Sequence, residues 1–128
     1  MTHKLNILVV DDEASVAASI LWALKPYGHT TKVVTDGEQA LANLTADPTI
    51  DLVITDHSMP RMRGLELVSR LRGAGYQGKV IVLSAHLSQH NRTLYDSLGV
   101  EAVLPKPFDV DALRQIVAEL FHDPSAVL

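Results

Sequence analysis

The chain has 128 residues, 47% hydrophobic and 20% charged, which is enough apolar sequence for one globular domain with a proper core. A formal net charge of −4 and an isoelectric point near 5.8 give no bulk attraction to nucleic acid or to an anionic membrane, and no run of like charge is present. Cysteine is absent, which excludes disulfides and thiolate metal sites, and the opening MTHKLNILVVDDE has an apolar stretch too short for a signal peptide or a spanning helix. The expectation is a cytoplasmic protein without membrane contact.

In chain order, LNILVV (5–10) is a continuous apolar run, as expected of a strand buried on both faces. Val16, Ile20, Leu21 and Leu24 then recur at helical spacing, and Pro26 and Gly28 close that helix. TTKVV (30–34) reads as a second strand, and Asp36 as the N-cap of a helix carrying Ala40, Leu41 and Leu44. IDLVIT (50–55) is a third strand, followed after Gly64 by a helix with Leu65, Val68 and Leu71 inward. KVIVLS (79–84) is the fourth. Segment 86–98 offers only Leu87, Leu94 and Leu98 as a sparse stripe, so it is the weakest and most mobile of the expected helices. VEAVL (100–104) is the fifth strand, and Asp109 caps a last helix burying Val110, Leu113, Ile116, Val117 and Leu120. Five strands alternating with five helices predict an open parallel α/β sheet, a single domain over 1–122, and a frayed tail over 123–128.

In such sheets functional groups gather at the C-terminal strand ends. Asp11 and Asp12 end the first strand and Asp56 the third. Each alone could be a helix cap or a strand terminus. Three together raise one another's pKa and cost stability unless a cation compensates, and a hard, oxygen-seeking ion such as Mg²⁺ fits. Ser84 ends strand four and Lys106 follows strand five. Singly they read as a turn residue and a solvated charge; together they supply a hydroxyl and an ammonium suited to phosphoryl oxygens.

The acidic pair Asp11-Asp12, DHSMPRMRG (56–64), LSA (83–85) and KPF (106–108) resemble a response-regulator receiver domain of two-component signalling, chemotaxis-regulator-like, over essentially the whole chain. The resemblance implies a flavodoxin-like sheet in the order 2-1-3-4-5, with helices on both faces. It implies Asp56 as the nucleophile that takes a phosphoryl group from a histidine kinase or histidine phosphotransfer protein. Asp12, Asp56 and the Ser58 backbone carbonyl would ligate Mg²⁺ directly, with Asp11 acting through a water. Lys106 would pair with the phosphoryl oxygens, and Ser84 would bond one of them after transfer. Pro60 and Gly64 shape the loop beside the acceptor, and a cis Lys106-Pro107 bond is implied.

One position departs from the family pattern. Three residues before the lysine, receivers commonly carry Tyr or Phe; here it is Val103, too stiff to act as a moving ring. His86 and His90 have i,i+4 spacing but no third ligand, which favours a solvated helix face. A Mg²⁺-dependent phosphohydrolase would carry Asp-x-Asp where this chain has Asp-Asp-Glu. A flavin or nucleotide carrier would not place DDEAS against a phosphate. The expected protein is therefore a switch that catalyses its own phosphorylation and dephosphorylation, not a turnover enzyme. Its expected output face is helix four, strand five and helix five, docking an unnamed downstream protein or a fused output domain, with a phosphorylation-dependent dimer as a further partner. Alternatives are a phosphate sink or relay, or a receiver cut from a larger regulator or hybrid kinase. Met1 suggests a natural start, and the sequence after the last helix offers no output segment.

Overall fold

The computed structural model describes residues 4–121; the tail expected to fray at 123–128 lies outside them. Apolar runs too continuous for one-sided burial form the inner strands β1 (Asn6–Val10), β3 (Leu52–Asp56) and β4 (Lys79–Ser84). Ile7, Leu8, Val9 and Val10 are all fully buried, as are Leu52, Val53 and Ile54. The edges are β2 (Thr30–Val34), which alternates exposed and inward residues, and the short β5 (Ala102–Pro105). All neighbours pair in parallel, in the order β2-β1-β3-β4-β5. Register brings Asp56 level with Leu83 and Ser84 level with Pro105, so the strand ends share one edge.

The pleat sends alternate residues to two cores. Ile7, Val9, Ile54 and Leu83 pack under α1 (Ala14–Leu24) and α5 (Val110–Leu120), against Ile20, Leu24, Leu113 and Val117. Leu8, Val10, Val53 and Val82 pack under α2 (Gly37–Ala46), α3 (Gly64–Gly73) and α4 (Gln89–Ser97). Asp36 caps α2 by accepting the Gln39 amide at 2.8 Å, and Asp109 caps α5 by accepting that of Asp111 at 2.9 Å. After α1 a 3-10 turn, Lys25–Tyr27, ends on Gly28 at φ 79°, a left-handed C-cap.

Two expectations need correction. In α3 the inward stripe is Gly64, Leu67, Val68 and Leu71; Leu65, off that i, i+3, i+4, i+7 set, is only half-buried. The helix expected over 86–98 begins at Gln89, because Ser88 accepts the Asn91 amide at 3.1 Å and starts it there. Its buried side chain is Tyr95, while Leu94 is 36% exposed and Leu87 and Leu98 lie outside the helix, half-buried. The C-terminal end of α4 is fastened from α3: Arg72 Nε donates to the Leu98 carbonyl at 2.8 Å.

Gly64 is where the end of β3, the start of α3 and Tyr95 of α4 meet. A Cβ there would lie 2.5 Å from the Asp56 carbonyl oxygen, 2.9 Å from the Tyr95 hydroxyl and 3.0 Å from His57 Cα. Two of these neighbours are backbone and cannot yield. At Gly73, also in α3, a Cβ would meet nothing within 4 Å. Denaturant unfolding should therefore find Gly64→Ala less stable by about 1–3 kcal/mol. Gly73→Ala should gain about 0.5 kcal/mol from helix propensity. Equal effects at the two positions would contradict this close approach.

Candidate functional site

Each site residue is set by the end of a strand. Asp11 directly follows β1, is 2% exposed, and extends the sheet by donating its N–H to the Val34 carbonyl at 3.1 Å. Its Oδ1 accepts the Glu13 amide at 2.9 Å. Neither it nor Asp12 caps α1, whose N-cap is Glu13 without a side-chain hydrogen bond. Asp11 Oδ2 is buried and has no hydrogen-bond donor, although Lys106 Nζ stands 3.3 Å away as a charge. Asp56 ends β3 and is 3% exposed; its Oδ1 accepts the Ser58 amide at 3.2 Å and its Oδ2 lies 3.1 Å from Lys106 Nζ. Asp12 is exposed at the rim, and Asp11, Asp12 and Asp56 each offer an oxygen, all within 4.8 Å of one another. Lys106 also reaches Glu13 at 3.3 Å.

One ammonium therefore meets three carboxylates, with Asp12 beside them. Burial is the largest influence on Asp11 and pushes its carboxyl above the usual range; the Glu13 amide and Lys106 pull it back, and Asp56 adds to the rise. Burial also pulls the Lys106 ammonium down, but bonding to Asp56 and the fields of Asp11 and Asp56 outweigh it, so its pKa is raised. For folding the two signs differ. The Lys106 contribution is complete below the ordinary lysine value and is lost as pH rises through its raised folded value. The Asp11 cost is absent below the ordinary carboxylate range and grows as pH rises through its raised folded value. A buried oxygen lacking a donor, beside two further carboxylates, fits a hard divalent cation with oxygen ligands.

The remaining expected residues surround this group. Ser84 is 5% exposed, and its Oγ donates to the His86 carbonyl at 2.8 Å rather than toward Asp56. Ser58 is exposed beside Asp56, and the Lys106-Pro107 bond is cis. In the loop before α3, Met59 and Met62 are buried, Met62 N–H donates to the Pro60 carbonyl at 2.8 Å, and Arg61 takes φ 69°. Val103 is half-buried opposite Val82. His86 precedes α4 instead of sharing a face with His90; both are exposed, and the acidic trio is the one metal-competent group among the described residues.

Sequence reasoning missed two participants. Glu13 was legible only as part of an acidic run. Tyr95 gave no signal in a polar helix, yet its hydroxyl meets His57 Nδ1 at 2.6 Å, with the rings edge to face at 5.5 Å between centroids. Burial first, then Arg63, lowers the His57 pKa, while Asp56 opposes this; burial and then Asp56 raise that of Tyr95.

Among the described residues no helix is long and apolar enough to cross a membrane. Residues 7–118 match the sequence profile of the response regulator receiver domain. The chain is 35% identical over 117 residues to response regulator MprA of Mycobacterium tuberculosis, covering 91% of this chain and 49% of that protein. It thus spans about half the length of the curated relatives it matches. Its fold is similar to that of the chemotaxis protein CheY4 of Vibrio cholerae, with a TM-score of 0.85, 25% identity, and coverage of 93% of this chain and 100% of that one. A response regulator receiver protein from Pseudomonas putida also gives 0.85, at 28% identity, with 93% and 99% covered. An acidic trio at the strand ends of a 2-1-3-4-5 sheet, two of its members buried, together with the profile match, makes the chain a member of the response regulator receiver family.

Proposed function

We propose that this domain is the phosphoacceptor of a histidine–aspartate phosphorelay, and that Asp56 is the residue phosphorylated. The observation that carries this reading is the Lys106 ammonium 3.1 Å from Asp56 Oδ2, inside a ring of carboxylates that one cation cannot neutralise. An Asp56 oxygen attacks the phosphorus of a phosphohistidine. The N–P bond breaks, the imidazole nitrogen keeps the pair and is protonated from solvent, and Asp56 becomes an acyl phosphate. Lys106 holds the acceptor carboxylate in place and then faces the phosphoryl oxygens. Asp11, Asp12, Asp56 and the Ser58 carbonyl would hold Mg²⁺, which when bound supplies charge neutralisation for the phosphoryl oxygens. Phosphoryl transfer asks chiefly for this alignment and neutralisation, so no further acid or base is needed.

Ser84 exchanges its His86 acceptor for a phosphoryl oxygen, which releases the segment before α4. The face of α4, β5 and α5 then meets a downstream protein or an attached output domain in the cytoplasm, or a second phosphorylated copy. Val103, in place of an aromatic ring, favours a second reading as a phosphate sink or relay without that output.

Incubated with acetyl phosphate and Mg²⁺, the protein should gain one phosphate by intact mass, and Asp56→Asn should gain none. Persistent labelling of the Asn variant, or labelling unaffected by EDTA, would overturn the assignment. A second expectation follows from the Asp11 electrostatics. In EDTA at neutral pH, Asp11→Asn should unfold at higher denaturant than wild type, by about 1 kcal/mol, because it removes a buried charge. That advantage should vanish below the ordinary carboxylate range, where the wild-type group is already protonated. Saturating Mg²⁺ should reverse the order, since only the native carboxylate binds it well. A variant less stable than wild type in EDTA would mean that Asp11 serves the fold and not a cation.

A further inference from the structure

Helix α4 hangs on one buried side chain. Tyr95 is fully buried, whereas the rest of QHNRTLYDS faces outward or lies half-covered. Its hydroxyl reaches into the loop after β3 and meets His57 Nδ1 at 2.6 Å. His57 is the residue after Asp56 and is 8% exposed. Its backbone is fastened on both sides: its N–H donates to the Leu83 carbonyl at 2.9 Å, and its carbonyl accepts the Gly64 amide at 2.9 Å. The ring is therefore the movable part of that residue. The space its partner occupies exists only because Gly64 has no Cβ, which would sit 2.9 Å from the Tyr95 hydroxyl. Asp56, His57, Tyr95 and α4 thus form one short continuous path, with a single hydrogen bond joining strand end to helix.

We propose that the His57–Tyr95 pair, and not a ring on the fifth strand, carries the state of Asp56 to helix α4. The proposal rests on the phosphoacceptor reading of Asp56. Phosphorylation takes the charge at the end of β3 from −1 to about −2, one residue from the His57 ring. A cation held in part by the Ser58 carbonyl would pull on the same loop. Either change alters how the ring faces the Tyr95 hydroxyl. Because α4 has no second buried anchor, a shift at Tyr95 displaces the helix as a body. Arg72 holds the Leu98 carbonyl, so the motion is a pivot about the C-terminal end of α4. Val103 leaves β5 without a competing switch.

Backbone amide NMR of the full chain with Mg²⁺ and beryllofluoride, a phosphoryl mimic, tests this. Wild type should show shift changes around Asp11, Asp56 and Lys106 and also across 89–98. Tyr95→Phe keeps the buried ring and loses only the hydroxyl. It should retain the changes at the site while those across 89–98 fall at least two-fold. His57→Phe should do the same, and the double variant should lose no more than either single one. His57→Asn, whose amide oxygen can stand where Nδ1 does, should restore the α4 response; a merely structural role for the ring would not predict this rescue. A wild-type α4 response in Tyr95→Phe, or additive losses in the double variant, overturns the link while leaving Asp56 as acceptor. An absence of any response around Asp56 in wild type overturns the phosphoacceptor reading itself.

Discussion

Crowding of like charge at the C-terminal edge of the sheet is the constraint on which the rest of this domain depends. Asp11, Asp56 and the exposed Asp12 present oxygens within 4.8 Å, and the nearby cation is Lys106, which Glu13 also claims. Such a group is unstable in isolation, since a buried carboxylate without a partner raises its own pKa. It persists because the surrounding fold over-determines it. Asp11 is clamped between the Val34 carbonyl and the Glu13 amide, and Asp56 is the last residue of a fully buried strand. A cation that neutralised the group would relieve this repulsion.

The rest of the interior is apolar. Among the described residues the buried polar side chains are Asp11, Thr55, Asp56, His57 and Ser84, all at or next to the ends of β1, β3 and β4. The two cores beneath them hold mostly aliphatic side chains from both faces of the sheet, with Met59, Met62 and Tyr95 in the second. Polarity is confined to one edge, where the strand ends supply free backbone groups to accompany it. His57 illustrates this: its peptide completes hydrogen bonds to Leu83 and Gly64 while its ring is directed at another helix.

How much was legible in the sequence followed from how local each signal was. Continuous apolar runs marked β1, β3 and β4, because burial on both faces leaves no polar alternation to misread. Asp36 and Asp109 were readable as caps, since capping acts within three residues. The acidic trio was legible as a group because strand ends can be counted. Asp11 and Asp12 as caps of α1 were not the outcome: the chain spends that position on Glu13 and points Asp11 inward. Helix α4 was the least legible element. A leucine stripe suggested an apolar face over 86–98, yet the contact that seats the helix is an aromatic hydroxyl pairing with a histidine 38 residues earlier. Nothing in a single helix's periodicity encodes such a long-range polar partner. The split of charge around Lys106 was hidden for the same reason, since Glu13 lies 93 residues from it.

The position of α4 is thereby set by polar bonds that originate at two neighbouring strand ends. Ser84, closing β4, holds the His86 carbonyl at the start of the 86–98 segment, and His57, just past β3, holds Tyr95 near its end. Between these two bonds the helix is capped by Ser88, and its one fully buried side chain is Tyr95, beside the half-buried Leu87 and Leu98 that flank the helix. A helix seated by a large apolar face would resist a change in one hydrogen bond, because burial would dominate the balance. Here that burial comes from one ring, so the hydrogen bonds carry a larger share of what holds the segment. With Val103 in place of a ring on β5, the strand end that carries Asp56 also carries the His57 contact to α4.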